Sequence, residues 1–362
     1  MKVVYYPKDP TENAFTSIVQ SGMKLNGCEI LSIEDFLDRG NSEPTPVYLN
    51  WFDEIHARNS LFSFWAYLRQ RRLIGRIISN GGRIVYVVHN CIPHDTVLKG
   101  NLFFSHRLRE LLSRSAGCIV ILCDETRNVL ESQLGSSLYS HIEPKILKAP
   151  IPTYTGFYPH AERSWRSEHG ISPDKFLFLF SGFIRPYKGV ELIVGVAQYF
   201  MSKGYDAQFV IAGRCSSKDY QRKISSMASE LDNLRLSFGF VSNEDLGSFI
   251  EAADALILPL DQSSLNSSTC YLAFSYGRTV VCSAIGTIRE FDSSLTYSYE
   301  CGSAEAQKAK LIVAAERAYL DWAADREGFS VKGRILKRIV DEENSVEKIG
   351  ALYRAAAEMC LV

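Results

Sequence analysis

Strand-like and helix-like stretches alternate along almost the whole chain, and this alternation constrains the fold more than any other feature. Short β-rich runs such as RIVYVVHN (83–90) and FLFLFSGF (176–183) end in turns or polar residues, and amphipathic stretches lie between them. Parallel strands need a crossover connection, usually a helix, so the alternation predicts α/β structure with parallel sheets covered on both faces. Two consecutive sets of strands in 362 residues predict two Rossmann-like domains.

The boundary between the two sets falls in the segment 151–174, which is proline- and aromatic-rich and only weakly periodic. We therefore assign residues 1–160 to a first domain and residues 161–343 to a second. The stretch SVEKIGALYRAAAEMC near the end of the chain predicts a last helix, over about residues 344–362.

Composition excludes several classes of protein. The 40 Lys and Arg residues balance the 41 Asp and Glu residues, so the global basic bias of a nucleic-acid-binding protein is absent. The nine cysteines form no Cys-x-x-Cys pair, which favours reduced thiols in a cytoplasmic protein. The start of the chain does not have the pattern of a signal peptide, and no apolar run reaches 18 residues, so we expect no membrane span.

Two loops carry residues suited to binding a diphosphate. The segment 181–191 ends a strand at Gly182 and presents Arg185 and Lys188 before a helix begins, which supplies cations and helix-start N–H groups. The segment 261–270 clusters short hydroxyl and amide side chains at the start of the next such helix. An ordinary loop with solvated cations, or a plain capping loop, remains the alternative at each site. Both loops follow strands of one sheet, where α/β proteins bind ligands.

At these residues the second half of the chain resembles the group 1 glycosyltransferase domain of the GT-B superfamily. SGFIRPYKGVELIV is similar to the family's "G-x-I-R-x-Y-K-G" segment, and FGFVSNEDLGSFIEAADALILPL and LNSSTCYLAFSYGRTVVCSAIGTIREF to later motifs, in order, over about residues 176–291. In the first half, VVHNCIPHD resembles a "v-H-N-x-x-P-H" loop of bacterial polysaccharide transferases. The resemblance implies two Rossmann-like domains facing across a cleft, with the last helix crossing back to the first domain.

The resemblance also implies roles for individual residues of this sequence. Residues that would bind the nucleotide-sugar donor are Gly182, Arg185, Lys188, Gly213, Phe240, Val241, Asn266, Ser267, Ser268 and Thr269. His89 would end its strand beside the donor sugar. No metal or other cofactor is expected, because the chain contains no Asp-x-Asp and the family stabilises the leaving diphosphate with cations and helix ends.

Two departures from the family pattern bear on mechanism. The glutamate pair of many retaining members aligns with Ser264 and Leu272, and an arginine common in the family is Phe183, with Arg185 as its replacement. The missing carboxylates favour inversion, which needs a base near the acceptor hydroxyl. The candidates for that base lie in loops after strands of the first domain: His89, His94, Asp95, Asp53 and Glu54. Any one of them has a capped or solvated loop residue as its alternative interpretation.

The interval from residue 55 to residue 94 contains six arginines and no acidic residue. Arg69, Arg72 and Arg76 form one helical stripe, and Leu61, Phe64, Trp65 and Leu68 follow helical spacing. The next helix adds Phe103, Phe104, Arg107, Arg109 and Arg114. Basic residues beside aromatic ones, here Trp65 with the three arginines, are typical of contact with an anionic membrane. The alternative is a helix that packs its apolar side on the sheet and solvates its arginines.

Together these features predict a metal-independent hexosyltransferase in the cytoplasm, peripheral on the inner face of the cell membrane. Its donor would be a UDP- or GDP-sugar, and its acceptor a lipid-linked saccharide of exopolysaccharide, capsule or lipopolysaccharide synthesis. Two alternatives stay open. One is a nucleotide-sugar 2-epimerase, and the other is a catalytically degenerate protein that binds nucleotide or partners an active subunit.

Overall fold

A computed structural model describes residues 1–8, 14–38, 40, 43–90, 98–159, 165–261 and 264–362. The chain divides into two compact units. The first comprises Met1–Pro152 and Asn344–Val362, together with Ser264, Leu265 and Asn266; the second comprises the rest of the described chain between Thr153 and Glu343. The change at residues 152 and 153 lies eight residues before the boundary placed from the sequence.

The first unit contains a six-stranded sheet in the order β2-β1-β3-β4-β5-β6, with every neighbouring pair parallel. Its elements are β1 (Lys2–Tyr6), α1 (Ala14–Leu25), β2 (Glu29–Leu31), α2 (Ile33–Asp38), β3 (Thr45–Asn50), α3 (Ser60–Ser79), β4 (Gly82–Val88), α4 (Lys99–Ser115), β5 (Ala116–Ile121), α5 (Glu125–Leu134), α6 (Ser136–Ile142) and β6 (Ile146–Lys148).

The second unit contains another parallel six-stranded sheet, in the order β12-β11-β10-β7-β8-β9. Its elements are α7 (Trp165–Glu168), β7 (Phe176–Ser181), α8 (Val190–Lys203), β8 (Ala207–Gly213), α9 (Lys218–Met227), β9 (Leu234–Phe238), α10 (Asn243–Ala252), β10 (Ala255–Leu258), α11 (Ser268–Ser275), β11 (Thr279–Ser283), β12 (Tyr297–Tyr299), α12 (Ala304–Ala324) and α13 (Arg326–Glu343). Every residue of β7 and β10 is buried, as expected of central strands covered by helices on both faces.

The last helix, α14 (Val346–Leu361), belongs to the first unit, which confirms the expected return of the chain. It packs on α1 where two glycines meet: a Cβ on Gly350 would lie 2.1 Å from the carbonyl carbon of Gly22. The ring of Tyr353 stacks on Tyr48 at 5.8 Å, and the Tyr48 hydroxyl donates to the Tyr353 carbonyl. Because these contacts are buried, the first unit's core includes the end of the chain.

The order of the strands fixes where each sheet can bind a ligand. In the first sheet the direction of winding reverses between β1 and β3, and in the second it reverses between β7 and β10. Open α/β sheets bind ligands outside the carboxyl ends of the strands at such a reversal. No helix in the described part of the chain is both long and apolar enough to cross a bilayer.

Candidate functional site

Glycines line the loops that leave β7, β8 and β9 in the second unit. Gly182 and Gly213 have φ angles of 142° and 143°, which favour glycine, and a Cβ on Gly213 would lie 1.8 Å from the Gly182 carbonyl oxygen. The Gly239 N–H donates to the Gly213 carbonyl at 3.2 Å. The three loops therefore pack backbone against backbone, at the edge of the sheet where a ligand can approach the main chain closely.

Lys188 lies at the winding reversal of this sheet. It ends a short 3₁₀ turn, and the next residue, Gly189, packs so tightly on the loop after β10 that a Cβ would lie 2.8 Å from the Pro259 carbonyl oxygen. The Lys188 ammonium lies 5.2 Å from the Tyr187 ring centroid and has no hydrogen-bond or ion-pair partner within the described residues. Burial lowers the pKa of Lys188, with smaller opposing effects from Cys270 and Asp261. An anion bound here would favour the charged ammonium.

The start of α11 faces this region of the sheet without a side-chain cap. Ser267 occupies the N-cap position but makes no capping hydrogen bond, and its hydroxyl oxygen is buried without a partner among the described residues. Ser268 is exposed and Thr269 is half-buried in the first turn. Helix-start N–H groups without a cap can hold an anion, so this turn suits a phosphate.

Two aromatic rings and two cations flank the glycine loops. The Arg185 guanidinium carbon lies 4.5 Å from the centroid of the Phe183 ring, so the cation packs over that ring. Phe240 is 68% exposed, and the Arg214 guanidinium carbon lies 5.9 Å from its ring centroid. Val241 follows Phe240 and is half-buried.

Asn266 lies apart from the other residues of the predicted donor set. Its side-chain amide donates to the carbonyl oxygen of His89, and both residues belong to the first unit. The preceding Leu265 is 4% exposed and packs in the first unit's hydrophobic core. The sequence grouped Asn266 with Ser267, Ser268 and Thr269, which belong to the second unit.

His89 directly follows β4 of the first unit and lies in a ring cluster with Trp51 and Phe15. Its imidazole stacks on Trp51 at 3.8 Å between centroids and contacts Phe15 edge-on. The Asn50 amide nitrogen donates to the Tyr6 carbonyl at 2.8 Å, so its oxygen faces His89 Nε2 at 2.9 Å and accepts from it. Burial lowers the His89 pKa to about 3, which keeps the ring neutral near pH 7 with its proton on Nε2.

The carboxylates after β3 have different environments. Asp53 is 2% exposed, and its Oδ2 accepts from Nη2 and Nε of Arg109 at 2.7 and 3.0 Å. Glu54 keeps 11% of its side chain exposed and accepts from the Asn90 amide at 2.9 Å, while His56 Nε2 lies 3.1 Å from its other oxygen. The geometry thus favours Glu54 over Asp53 for proton transfer. His94 and Asp95 lie outside the described residues.

The sequence analysis gave no role to Asn50, Trp51 or His56, although Asn50 and Trp51 lie in the segment YLNWFDE, which resembles a strand end of the family's acceptor domain. Asn50 and Trp51 fix the orientation of His89, and Trp51 does so with a φ of 51°, an uncommon backbone conformation for a residue other than glycine. His56 orients Glu54. Their position in the sequence could have pointed to a role, because all three lie at or just after the carboxyl end of β3, beside the winding reversal of the first sheet.

The predicted stripe on α3 is exposed, including Trp65, Arg69, Arg72 and Arg76. Leu61, Phe64 and Trp65 are 64%, 40% and 55% exposed, so they do not form the side of α3 that packs on the sheet. The buried face is instead formed by Ser63, Ile74 and Ile77. The sequence analysis also grouped Arg109 of α4 with this basic surface. That prediction is wrong, because Arg109 is buried in an ion pair with Asp53.

Comparison with known proteins agrees with this geometry. Residues 161–318 match the family model for glycosyl transferases group 1. Over its whole length, HepE of Anabaena has a similar structure, with a TM-score of 0.72 at 11% identity and 99% of each chain covered. The chain therefore has the GT-B fold, and its residues 161–318 are similar to the group 1 glycosyl transferases.

Curated relatives match the chain over shorter stretches. The lipopolysaccharide 1,2-N-acetylglucosaminetransferase of Salmonella typhimurium is 22% identical over 179 residues, which is 46% of each protein. The α-D-kanosaminyltransferase of Streptomyces kanamyceticus is 31% identical over 94 residues, or 26% of this chain and 24% of that one. The chain thus spans less than half the length of these relatives.

The two positions that the sequence aligned with the glutamate pair of many retaining glycosyltransferases, Ser264 and Leu272, lie in different units and are both buried. Leu272 is 9% exposed within α11, and Ser264 is 5% exposed. Among the described residues, no group of three or more His, Cys, Asp or Glu side chains could hold a metal ion. In the second unit, the described loops at the carboxyl ends of the strands present cations, glycines and helix starts.

Proposed function

We propose that this protein transfers a hexose from a nucleotide-diphosphate sugar to a lipid-linked saccharide in the synthesis of a bacterial surface polysaccharide. One observation carries the proposal: the unpaired, desolvated Lys188 lies at the winding reversal of a group 1 domain, near the uncapped start of α11. A diphosphate supplies the negative charge that both features lack.

Of the two donor classes predicted from the sequence, UDP- and GDP-sugars, the comparisons support a UDP-linked donor. The Anabaena HepE structures hold UDP, UDP with glucose, or UDP-glucose. The pneumococcal O-GlcNAc transferase GtfA, with UDP and GlcNAc, has a TM-score of 0.63 at 12% identity over 91% of this chain and 59% of that one. The named activity of the Salmonella relative supports a saccharide acceptor on a cell-surface polymer.

The chemistry we infer is a single displacement with inversion and without a metal ion. The acceptor oxygen forms a bond to the anomeric carbon as that carbon's bond to the diphosphate oxygen breaks, and the acceptor proton passes to Glu54. His56 and Asn90 orient the Glu54 carboxylate. Lys188, Arg185 and the α11 start stabilise the charge on the leaving nucleoside diphosphate, as preorganised donors do in such displacements.

The test is release of nucleoside diphosphate from a panel of UDP-, GDP- and dTDP-hexoses, with and without EDTA. We expect turnover with UDP- or GDP-sugars that EDTA leaves unchanged, and NMR of the product should show an inverted anomeric centre. Binding without turnover on any donor or acceptor would identify the protein as a degenerate nucleotide-binding subunit. Conversion of the donor to its 2-epimer would identify an epimerase.

A further inference from the structure

Six large apolar side chains at the starts of α3 and α4 are exposed on the first unit: Phe64, which is 40% exposed and contacts Phe104, and five others. Leu61, Phe62 and Trp65 of α3 are 64%, 58% and 55% exposed, and Leu102 and Phe103 of α4 are 40% and 60% exposed. We call these five residues the apolar tip. Single exposed apolar residues are common on protein surfaces, but a contiguous group of this kind marks an interaction site.

The apolar tip is one surface because the starts of α3 and α4 lie side by side. A Cβ on Gly100 would lie 2.9 Å from the Ser60 hydroxyl oxygen. Asn101 of α4 holds the loop before α3, accepting from the Ala57 N–H at 3.3 Å and donating to the Ala57 carbonyl at 3.1 Å. Ring contacts join the helices, with Phe64 and Phe104 centroids 5.8 Å apart. These contacts fix the orientation of the tip.

Arginines continue the same face of α3 beyond the tip. Arg69, Arg72 and Arg76 follow Leu61 and Trp65 at helical spacing of three and four residues, so the five side chains share one face. All three arginines are exposed, and none has an ion-pair partner in the part of the chain that the structure describes. The face is apolar at the start of the helix and basic further along.

We propose that the apolar tip inserts into the interfacial region of an anionic lipid bilayer, with Arg69, Arg72 and Arg76 binding the lipid headgroups. The partner follows from charge and shape. A helix pair with exposed aromatic residues at its start and unpaired arginines beside them matches a surface that is apolar beneath and negatively charged above. A protein partner would need acidic groups at one edge of an apolar patch, whereas an anionic bilayer has both along its whole surface.

The position of the tip explains why membrane contact would serve catalysis. Asn101 contacts Ala57, which follows the Glu54–His56 pair directly, so the tip and the proposed base lie at the same edge of the first unit. A lipid-linked saccharide would therefore reach Glu54 from the bilayer. This last step rests on the proposed transferase function, but insertion of the tip does not.

Vesicle binding tests the insertion, with Trp65 as the reporter. Trp165 and Trp322 are buried and Trp51 is half-buried on His89, so Trp65 is the most exposed tryptophan of the chain. With vesicles containing about a third anionic lipid, we expect a blue shift of its emission and quenching by lipids brominated near the headgroup. Trp65→Phe should abolish this response.

Two sets of variants separate the apolar contribution from the electrostatic one. Phe62→Ser with Phe103→Ser keeps the reporter and should lower the partition coefficient by about tenfold or more. Arg69, Arg72 and Arg76 all changed to Glu should lower it by roughly a hundredfold at 0.1 M salt, and less at 1 M. Leu320→Ser and Arg222→Glu, exposed positions of the second unit, serve as matched controls and should bind like the wild type.

Several outcomes would overturn the proposal: no vesicle binding by the wild type, equal binding to neutral and anionic vesicles, or unchanged binding by both sets of variants. Self-association that the Phe62 and Phe103 changes abolish, without vesicle binding, would instead assign the tip to a contact between copies of the chain. Calorimetry with UDP on the same variants keeps the two proposals distinguishable. Normal UDP binding without vesicle binding would reject only the proposed membrane insertion. Vesicle binding without UDP binding would reject only the proposed donor site.

Discussion

The two units use one topology for two kinds of site. At the carboxyl ends of its strands, the second unit presents glycines, the unpaired Lys188 and the uncapped start of α11. The equivalent edge of the first unit presents the neutral His89 between aromatic rings and the hydrogen-bonded carboxylate of Glu54. The strand ends of the second unit suit the binding of an anion by fixed positive charge. Those of the first unit suit proton transfer. The difference shows that side chains at the strand ends, and not the sheet, determine what each unit can bind.

The largest expected effect tests the chemistry assigned to the first unit. Glu54→Gln keeps the shape and one acceptor oxygen but removes the base, so kcat should fall by about 10²–10⁴-fold. The affinity for UDP should stay within about twofold, because the proposed nucleotide site lies in the second unit. Glu29→Gln, on an exposed position at the amino end of β2, is the control. Full activity of Glu54→Gln would move the base to His94 or Asp95.

The positioning role of His56 has a separate readout. His56→Ala should lower kcat and shift the pH profile of kcat, since the group that orients Glu54 is lost. His56→Gln, which can still donate a hydrogen bond, should restore part of the rate. Equal loss in both variants with an unshifted profile would argue for a merely structural role.

The next prediction concerns Asp53, which lies beside Glu54 but is buried in an ion pair with Arg109. Arg109→Met leaves the buried Asp53 without its partner, and the free energy of unfolding should fall by about 3–5 kcal/mol. Arg107→Met, on the same helix but 55% exposed in its pair with Glu110, should change it by less than about 1 kcal/mol. Urea unfolding measures both. Comparable, small effects of the two substitutions would contradict a structural role for the Asp53–Arg109 pair.

A further prediction tests the proposed donor site at the carboxyl ends of the strands in the second unit. Lys188→Ala and Arg185→Ala should each weaken UDP or GDP binding about tenfold or more, because a hydrogen bond to a charged group contributes roughly 1.5–3 kcal/mol. The matched control is Lys175→Ala, which removes a cation at the amino end of the same strand, β7. Calorimetry should show normal binding for Lys175→Ala. If all three variants bind like the wild type, the donor site lies elsewhere.

The sequence predicted most elements but missed those that depend on tertiary contacts. The helical spacing noted between Leu61 and Arg76 falls within α3, because such spacing is a local property of the sequence. The three-residue strands β2 and β12 had no apolar run to mark them, and they form at sheet edges by pairing with one neighbour. The sequence also could not predict which side of α3 is exposed. Helical spacing shows that apolar residues share one side of the helix, but it does not show whether that side packs on the sheet.

The candidate site divides in the same way. Lys188 and Ser267 could be found because their loops follow strands directly, and order along the chain places them at one sheet edge. That Leu265 and Asn266 belong to the first unit could not be predicted from the sequence. Their placement depends on contacts with a core and with His89, which lie more than a hundred residues away along the chain. The stack of Trp51 on His89 likewise joins two strands that only the folded sheet brings together.

The smallest expected effect concerns the protonation of His89. Its pKa is lowered from 6.5 to about 3 by burial, so between these values the unfolded chain takes up a proton that the folded chain excludes. Stability from this group is therefore complete above about pH 6.5 and is lost as the pH falls toward 3. At pH 5.5 the loss should be about 1.4 kcal/mol relative to pH 7.5, the value of one pKa unit.

Urea unfolding at the two pH values measures the loss, and the difference between variants isolates it. His89→Gln lowers stability at both values, but its stability should fall less on acidification than that of the wild type. His141→Gln, an exposed histidine of the same unit, should keep the wild-type difference. If His89→Gln and the wild type lose the same amount, folding does not lower the pKa of His89, and the ring takes up a proton in the folded state as readily as in the unfolded chain. At acidic pH the strand ends of the first unit would then carry positive charge, like those of the second, and the contrast between an anion site and a site with a neutral His89 would be wrong.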